Sequence, residues 1–113
     1  MIVEIEIGGW EHECCGRQIA GNDLVDWAYL IDANGVRQET HHETRAITGR
    51  VRGRVAEIDL LVDGSRVGVD RVPSGAALSG LDSASDDAVV TRLSDSADVT
   101  ISAEARFVVA VEA

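Results

Sequence analysis

Lysine is absent from the sequence, and all ten of its basic residues are arginine. The 20 aspartates and glutamates outnumber them and give a formal net charge of −10. Because contacts to phosphate need a basic surface, this charge argues against a general nucleic-acid binder and against binding to acidic membranes. The chain also lacks any run that approaches the ~18 apolar residues of a membrane span. We therefore predict that its partners are neither nucleic acids nor membranes.

Cysteine is scarce, and its two occurrences, Cys14 and Cys15, are adjacent. The opening residues MIVEIEIGGW lack the basic start and the apolar run of a signal peptide, which predicts a cytoplasmic location. Thiols stay reduced in that compartment, and adjacent cysteines could join each other only through a strained ring. We therefore interpret both cysteines as free thiols or metal ligands.

Aromatic residues make up only 4% of the chain, whereas hydrophobic residues reach 45% and charged residues 27%, as in globular proteins. The length of 113 residues suits one domain with a single core. The lysine-free, alanine-, valine- and aspartate-rich composition is typical of a high-GC genome, although a salt-adapted proteome would also fit. We predict a single β domain over residues 1–113, with a long polar loop at about 74–88.

Apolar residues recur at every second position, which is the period of a β-strand. The segment DLVDWAYLID places Val25, Trp27, Tyr29 and Ile31 on one face, which predicts a core-facing strand. Asn34-Gly35 is a pair that tolerates the positive φ angles of a tight hairpin turn.

Further along the chain, Asp63-Gly64 predicts a second hairpin. The alternation that includes Val51 and Val55 changes phase around Ala56 and Glu57, which predicts a bulge or a sharp bend. Six or seven short strands with little helix favour a small β-barrel, SH3-like or OB-like, or a compact sandwich.

The strongest candidate site joins the two cysteines to the histidine pair His41 and His42. Thiolate and imidazole are preferred zinc ligands, and a structural site uses four of them. Cys14, Cys15, His41 and His42 are therefore the predicted metal ligands, and zinc is the predicted cofactor. The spacing is not that of a zinc ribbon, but Gly16 would allow the backbone to turn after the cysteines. His12 lies two positions before Cys14 and is a further conceivable ligand.

Two other interpretations of these residues stay open. In the first, the cysteines are buried core residues, as cysteine often is, and the histidines are exposed in a loop. Alternatively, one cysteine acts as a nucleophile with His41 or His42 as its base, although no diagnostic motif surrounds either cysteine. We expect no enzymatic activity.

Three arginines, Arg50, Arg52 and Arg54, alternate along one predicted strand and form a basic row in an acidic chain. Such a row could bind an acidic partner segment or a phosphate-bearing ligand. The alternative is a solvated strand face whose arginines pair with acids across the sheet. The candidate acids for that pairing are Asp59, Asp63 and Asp70.

A cluster of acids follows in the polar loop, at Asp82, Asp86 and Asp87. A calcium loop would need a glycine at its sixth position and a glutamate at its twelfth, and neither is present when the loop is counted from Asp82. We interpret the cluster as part of a solvated loop.

Several of these motifs together resemble an uncharacterised family of small actinobacterial proteins with no known activity. Its members carry a Trp, a Cys-Cys-Gly, a Gly-x-x-Val-x-Trp strand, a His-His pair and a Thr-Gly-x-Val strand. The matching positions are Trp10, Cys14, Cys15, Gly16, Gly21, Val25, Trp27, His41, His42, Thr48, Gly49 and Val51. The resemblance implies that the cysteines and histidines act as a set, but it does not support His12, whose place is usually apolar in the family.

Taken together, the sequence predicts a small cytoplasmic, non-enzymatic protein that binds a structural zinc through cysteine and histidine. The alternative is an interaction module that uses the arginine-lined strand or an edge strand to bind an acidic protein partner. The process served and the oligomeric state stay open.

Overall fold

The alternating apolar segments form strands, and five of these strands close into a barrel. The computed structural model describes residues 1–8, 12, 16–40, 48–81, 84 and 86–113. The barrel strands are β1 (Ile2–Gly8), β3 (Leu24–Ile31), β4 (Arg37–Glu39), β5 (Gly49–Val62) and β10 (Arg106–Glu112). They pair in the order β10-β1-β4-β3-β5, and β5 pairs back onto β10. The predicted small β-barrel is confirmed.

The other elements are short and mostly lie between β5 and β10 in the chain. They are β2 (Ile19–Ala20), β6 (Ser65–Gly68), β7 (Arg71–Val72), α1 (Gly75–Leu78), β8 (Val89–Thr91) and β9 (Asp98–Thr100). β6 forms a hairpin with the end of β5, β2 pairs with β7, and β8 pairs with β9. No helix among the described residues is long and apolar enough to span a membrane.

The strands neighbour one another as in an OB-like barrel when the order is followed cyclically from β5, although along this chain β1 comes first and β10 last. In an OB-fold the first strand lies between the second and the fourth, and the third lies beside the fifth. Here β5 lies between β10 and β3, and β1 lies beside β4 in the one parallel pairing of the barrel. With β5 as the first strand, β10 and β1 become the second and third, which form the usual ligand face of an OB-fold.

The long strand β5 holds the barrel together because it pairs with β3, β10 and β6. Glu57 lies opposite Ala110 and Val55 opposite Val111, so Ala56 is an extra residue at a shift in register. This confirms the bulge that the sequence predicts. A Cβ on Gly53 would lie 2.0 Å from the carbonyl oxygen of Glu112, so only glycine lets the two strands approach this closely.

The core fills the barrel with aliphatic side chains around one phenylalanine. Its fully buried members include Ile5, Ile7, Val55, Phe107, Val109 and Val111. Val25, Trp27 and Tyr29 are partly buried and pack against this core, as predicted. Ile31 was predicted to share their environment, but it is exposed because it lies at the end of β3 opposite Arg37, beside the turn.

Both predicted hairpin turns are present. The carboxylate of Asp32 accepts hydrogen bonds from the N–H groups of Asn34 and Val36, at 2.8 and 3.0 Å, and Gly35 has a φ of 78°. In the second turn, Asp63 and Gly64 have φ values of 49° and 81°. The segment predicted to be a long polar loop contains the one-turn helix α1, whose residue Leu78 is buried.

Candidate binding cleft

A cleft of about 790 Å³ lies where the first half of β3 faces residues 16–19. Its apolar lining includes Ile7, Val25 and Trp27, which the strand period directs inward. Its polar lining includes the buried His12 and Glu39 and two exposed aspartates, Asp23 and Asp26. This mixture of apolar and polar groups is typical of ligand sites.

His12 is fixed in one wall of the cleft by backbone contacts. Its Nε2 lies 2.7 Å from the carbonyl oxygen of Pro73. A carbonyl can only accept, so Nε2 carries the proton and donates this bond. The N–H of Gly16 donates to the carbonyl of His12 at 2.8 Å, and a Cβ on Gly16 would lie 2.0 Å from the His12 ring. These contacts fix the ring of His12, whose Nε2 is already engaged.

The predicted zinc ligands Cys14, Cys15, His41 and His42 lie outside the described residues. Their neighbours in sequence lie inside them: His12 and Gly16 flank the cysteines, and Glu39 precedes the histidine pair. All three neighbours line the same cleft. In the described part of the chain, no group of three or more His, Cys, Asp and Glu side chains could hold a metal ion.

The three arginines of the predicted basic row differ in their contacts. Arg50 Nη2 lies 3.1 Å from Asp26 Oδ1, and Arg54 Nη1 donates to the carbonyl of Asn22 at 3.0 Å. Arg52 is exposed, and within the described ranges it has no hydrogen-bond or ion-pair partner. Arg52 also lines the cleft.

The alternative of pairing with acids across the sheet is seen at Arg50, whose partner is Asp26 of β3, but two of the acids named as examples have other partners. Asp59 lies 3.9 Å from Arg66 instead, and Asp70 accepts a hydrogen bond from the N–H of Thr91. The reason is the strand order: the half of β5 that carries the arginines lies beside β3, not beside β6.

A second arginine of the cleft, Arg17, could not be predicted from the sequence, because it belongs to no row or motif. It is exposed, lines the cleft and, like Arg52, has no partner among the residues that the structure describes. The other described arginines all have one: Arg37 stacks on Tyr29, and Arg50, Arg54, Arg66, Arg71, Arg92 and Arg106 are bonded to carboxylates or carbonyls. The two partnerless guanidinium groups therefore lie at the same cleft.

A different arrangement covers the outer surface of β1, β10 and residues 54–60 of β5, which we call the closed wall. Arg66 binds both carboxylate oxygens of Glu4, at 2.5 and 3.2 Å, and Arg106 Nε binds Glu6 at 2.5 Å. The hydrogen bond from Arg66 lowers the pKa of Glu4 below its ordinary value. Val108 lies between these ion pairs and is buried although it faces outward.

The closed wall corresponds to the usual ligand face of an OB-fold, but its charge does not suit nucleic acid. Glu4, Glu6, Glu57 and Asp59 lie on its outer surface, and its arginines are already paired. Phosphate groups would meet carboxylates there.

Asp86, expected in a solvated loop, is instead nearly buried, with 8% of its side chain exposed. It accepts hydrogen bonds from the N–H and hydroxyl of Ser74, at 2.8 and 2.5 Å, and lies 3.3 Å from Arg71. Burial raises the pKa of Asp86, but these bonds outweigh it and leave the pKa below its ordinary value. Because Ser74 caps α1, this cluster has a structural role.

Comparison of the chain with family models, with curated proteins and with solved structures found no match.

Proposed function

We propose that this protein is a small non-enzymatic interaction module whose cleft binds an acidic segment of a protein partner. The observation that supports the proposal is the pair of arginines, Arg17 and Arg52, that lack a partner in the described structure and line one cleft. In a chain with a net charge of −10, the other described arginines are all engaged. Exposed guanidinium groups bind carboxylates well because their donors match the two carboxylate oxygens.

Apolar residues in the cleft favour a peptide over a small anion. Leu24 has 66% of its surface exposed, and Val25 and Trp27 contribute further apolar surface to the cleft. A partner segment that carries both carboxylates and apolar side chains would bury this surface while it pairs with the arginines.

Titration of the isotope-labelled protein with an octapeptide of alternating glutamate and valine tests the proposal. We expect NMR shift changes at the cleft amides, and about tenfold weaker binding, worth about 1.4 kcal/mol, in Arg17→Glu and in Arg52→Glu. Arg37→Glu is the matched control, because it makes the same change of charge on an exposed arginine outside the cleft. The same octapeptide with lysine in place of glutamate should not bind.

Two results would contradict the proposal. One is a glutamate peptide that produces no shift changes at millimolar concentration. The other is an equal loss of binding in Arg37→Glu and Arg52→Glu, because a general effect of net charge would then explain the attraction.

As a second candidate, we propose that Cys14, Cys15, His41 and His42 hold a structural zinc ion beside the cleft. The supporting observation is that His12, Gly16 and Glu39, which lie within two residues of these positions in sequence, line one cleft. Elemental analysis of untagged protein should then give about one zinc per chain, the stoichiometry of one four-ligand site. Single alanine variants at the four positions should release the metal and lower the melting temperature; four variants that melt like the parent would exclude the site.

A cytoplasmic location and kinship with the uncharacterised actinobacterial family stay predictions from the sequence. Neither of them assigns an activity.

A further inference from the structure

We infer that the acidic segment binds as an added β-strand along the edge of β3 between Leu24 and Ala28. This inference rests on the proposed function and specifies how the partner is held. Strand addition uses main-chain hydrogen bonds for affinity and alternate side chains for specificity.

The backbone of β3 shows which groups are open. The carbonyl of Asp23 accepts the N–H of Val55, at 2.9 Å, so the groups of odd-numbered residues in this strand face β5. The carbonyl of Ala28 accepts the N–H of Thr40, at 3.0 Å, so even-numbered residues face the other way, toward β4. Leu24 and Asp26 therefore direct their N–H and C=O groups away from β5.

β4 does not reach those groups. As described, it pairs with β3 from Tyr29 to Ile31, and the bond from Thr40 to Ala28 is the last backbone bond in that direction among residues 1–8, 12, 16–40, 48–81, 84 and 86–113. Within the part of the chain that the structure describes, the N–H and C=O groups of Leu24 and Asp26 have no backbone partner on this side. A new strand of about five residues, about 17 Å long, that lay beside Leu24–Ala28 would bond all four groups.

The side chains around this edge define the sequence that would fit. Side chains of neighbouring strands share a face, so alternate residues of the added strand would lie beside Val25 and Trp27, which pack on the core. Apolar residues suit those positions.

The other residues of the added strand would lie on the outer face beside Leu24 and Asp26. Arg50 already pairs with Asp26, so the cation available to the added strand is Arg52. Arg52 lies on β5, which is separated from the added strand by β3. An arginine can span such a distance, since Arg66 on β6 reaches Glu4 on β1 across two strands. The ligand is therefore a segment in which acidic and apolar residues alternate.

Backbone methylation of the glutamate–valine octapeptide separates strand addition from charge attraction. In an added strand, alternate N–H groups face β3 and the others face solvent. Methylating the N–H groups of one alternate set should weaken binding at least about tenfold, whereas methylating the other set should leave the dissociation constant within about twofold.

A protein variant gives an independent test. Leu24→Pro removes an N–H that faces away from β5, a position where an edge strand tolerates proline, and Leu24→Ala removes the exposed side chain but keeps the N–H. We expect Leu24→Pro to weaken peptide binding more than Leu24→Ala. If Leu24→Pro does not fold, the methylated peptides still decide the question.

The outcomes separate the two proposals. If both methylated peptides bind as well as the parent, strand addition is overturned while the acidic-ligand cleft survives. If the unmodified glutamate peptide does not bind at all, the proposed function fails and the inference fails with it. If one methylated peptide loses binding and the other keeps it, the result supports both the acidic-ligand cleft and strand addition.

Discussion

On the closed wall, Arg66 and Arg106 are held by carboxylates, and neighbouring strands pair along their length. At the cleft, Arg52 of β5 has no partner among the described residues, and Leu24 and Asp26 of the neighbouring β3 direct their backbone groups away from β5. Both regions belong to one barrel and share the strand β5. On the closed wall, the charged and backbone groups bond to one another within the fold. At the edge of β3, they are available to a ligand.

This difference explains why net charge alone does not describe the protein's binding. A chain with a net charge of −10 repels acidic ligands on average, yet a partnerless arginine can attract a carboxylate locally, even in a cleft that Asp23, Asp26 and Glu39 also line. The arginines of the closed wall contribute nothing to such attraction because their carboxylates neutralise them. Four comparisons between variants can break or sharpen the contrast, and they follow from the largest expected effect to the smallest.

The largest effect should follow from truncation in the core behind the closed wall. Phe107 is 0% exposed, so Phe107→Ala should lower the free energy of unfolding by about 3–5 kcal/mol through lost burial and the cavity it leaves. Leu24→Ala, at the exposed edge, should cost less than about 0.5 kcal/mol. Urea denaturation measures both. A similar loss in the two variants would mean that the edge of β3 is buried and not open.

The next effect tests a carboxylate that is used inside the fold. Asp86→Ala should cost about 1.5–3 kcal/mol, because Ser74 and Arg71 lose their charged acceptor. The lowered pKa of Asp86 means that this loss is fully present above its unfolded pKa of about 3.9 and disappears as pH falls through the folded pKa. Denaturation at several pH values measures it, with the exposed Asp98→Ala as control. A difference from the parent that does not change with acid would contradict the assignment.

A methyl group added where β5 meets β10 tests the close approach of these strands. Gly53→Ala would place a Cβ against the carbonyl oxygen of Glu112, so we expect a loss of about 1–3 kcal/mol. Gly21→Ala is the matched control, because no atom lies within 4 Å of its added Cβ. Thermal unfolding compares the two. Equal melting temperatures would show that β10 does not lie this close to Gly53.

The smallest effect compares the two kinds of arginine directly. Arg66→Ala should cost about 0.2–1 kcal/mol, less at high salt, because it removes an exposed ion pair with Glu4. Arg52→Ala should leave stability unchanged within about 0.5 kcal/mol. A clear loss from Arg52→Ala would show that Arg52 supports the fold and is not available to a ligand.

Much of the fold could be predicted because its signals are local. Alternation of apolar residues marked the strands, Asn34-Gly35 and Asp63-Gly64 marked the hairpins, and the change of phase marked the bulge at Ala56. Each of these features depends on neighbours in the chain. The closing of the barrel depends on β5 pairing with β10, and no local pattern specifies that contact.

The candidate site was harder to predict because it depends on which strands are neighbours. The row of arginines was visible in the sequence, but only the pairing of β5 with β3 shows that Arg50 and Arg54 are engaged and Arg52 is not. Arg17 carried no pattern of its own. Asp86 looked solvated because its partners Ser74 and Arg71 reach it only through the folding of the chain around α1.

The most direct measurement is amide hydrogen exchange along β3, with and without the glutamate–valine octapeptide. We predict that the N–H groups of Leu24 and Asp26 exchange quickly in the isolated protein and slowly in the complex. The N–H groups of Val25 and Trp27 face β5 and should exchange slowly in both, which makes them internal controls. Slow exchange at Leu24 and Asp26 in the isolated protein, or fast exchange there in a saturated complex, would contradict the open edge on which the account rests.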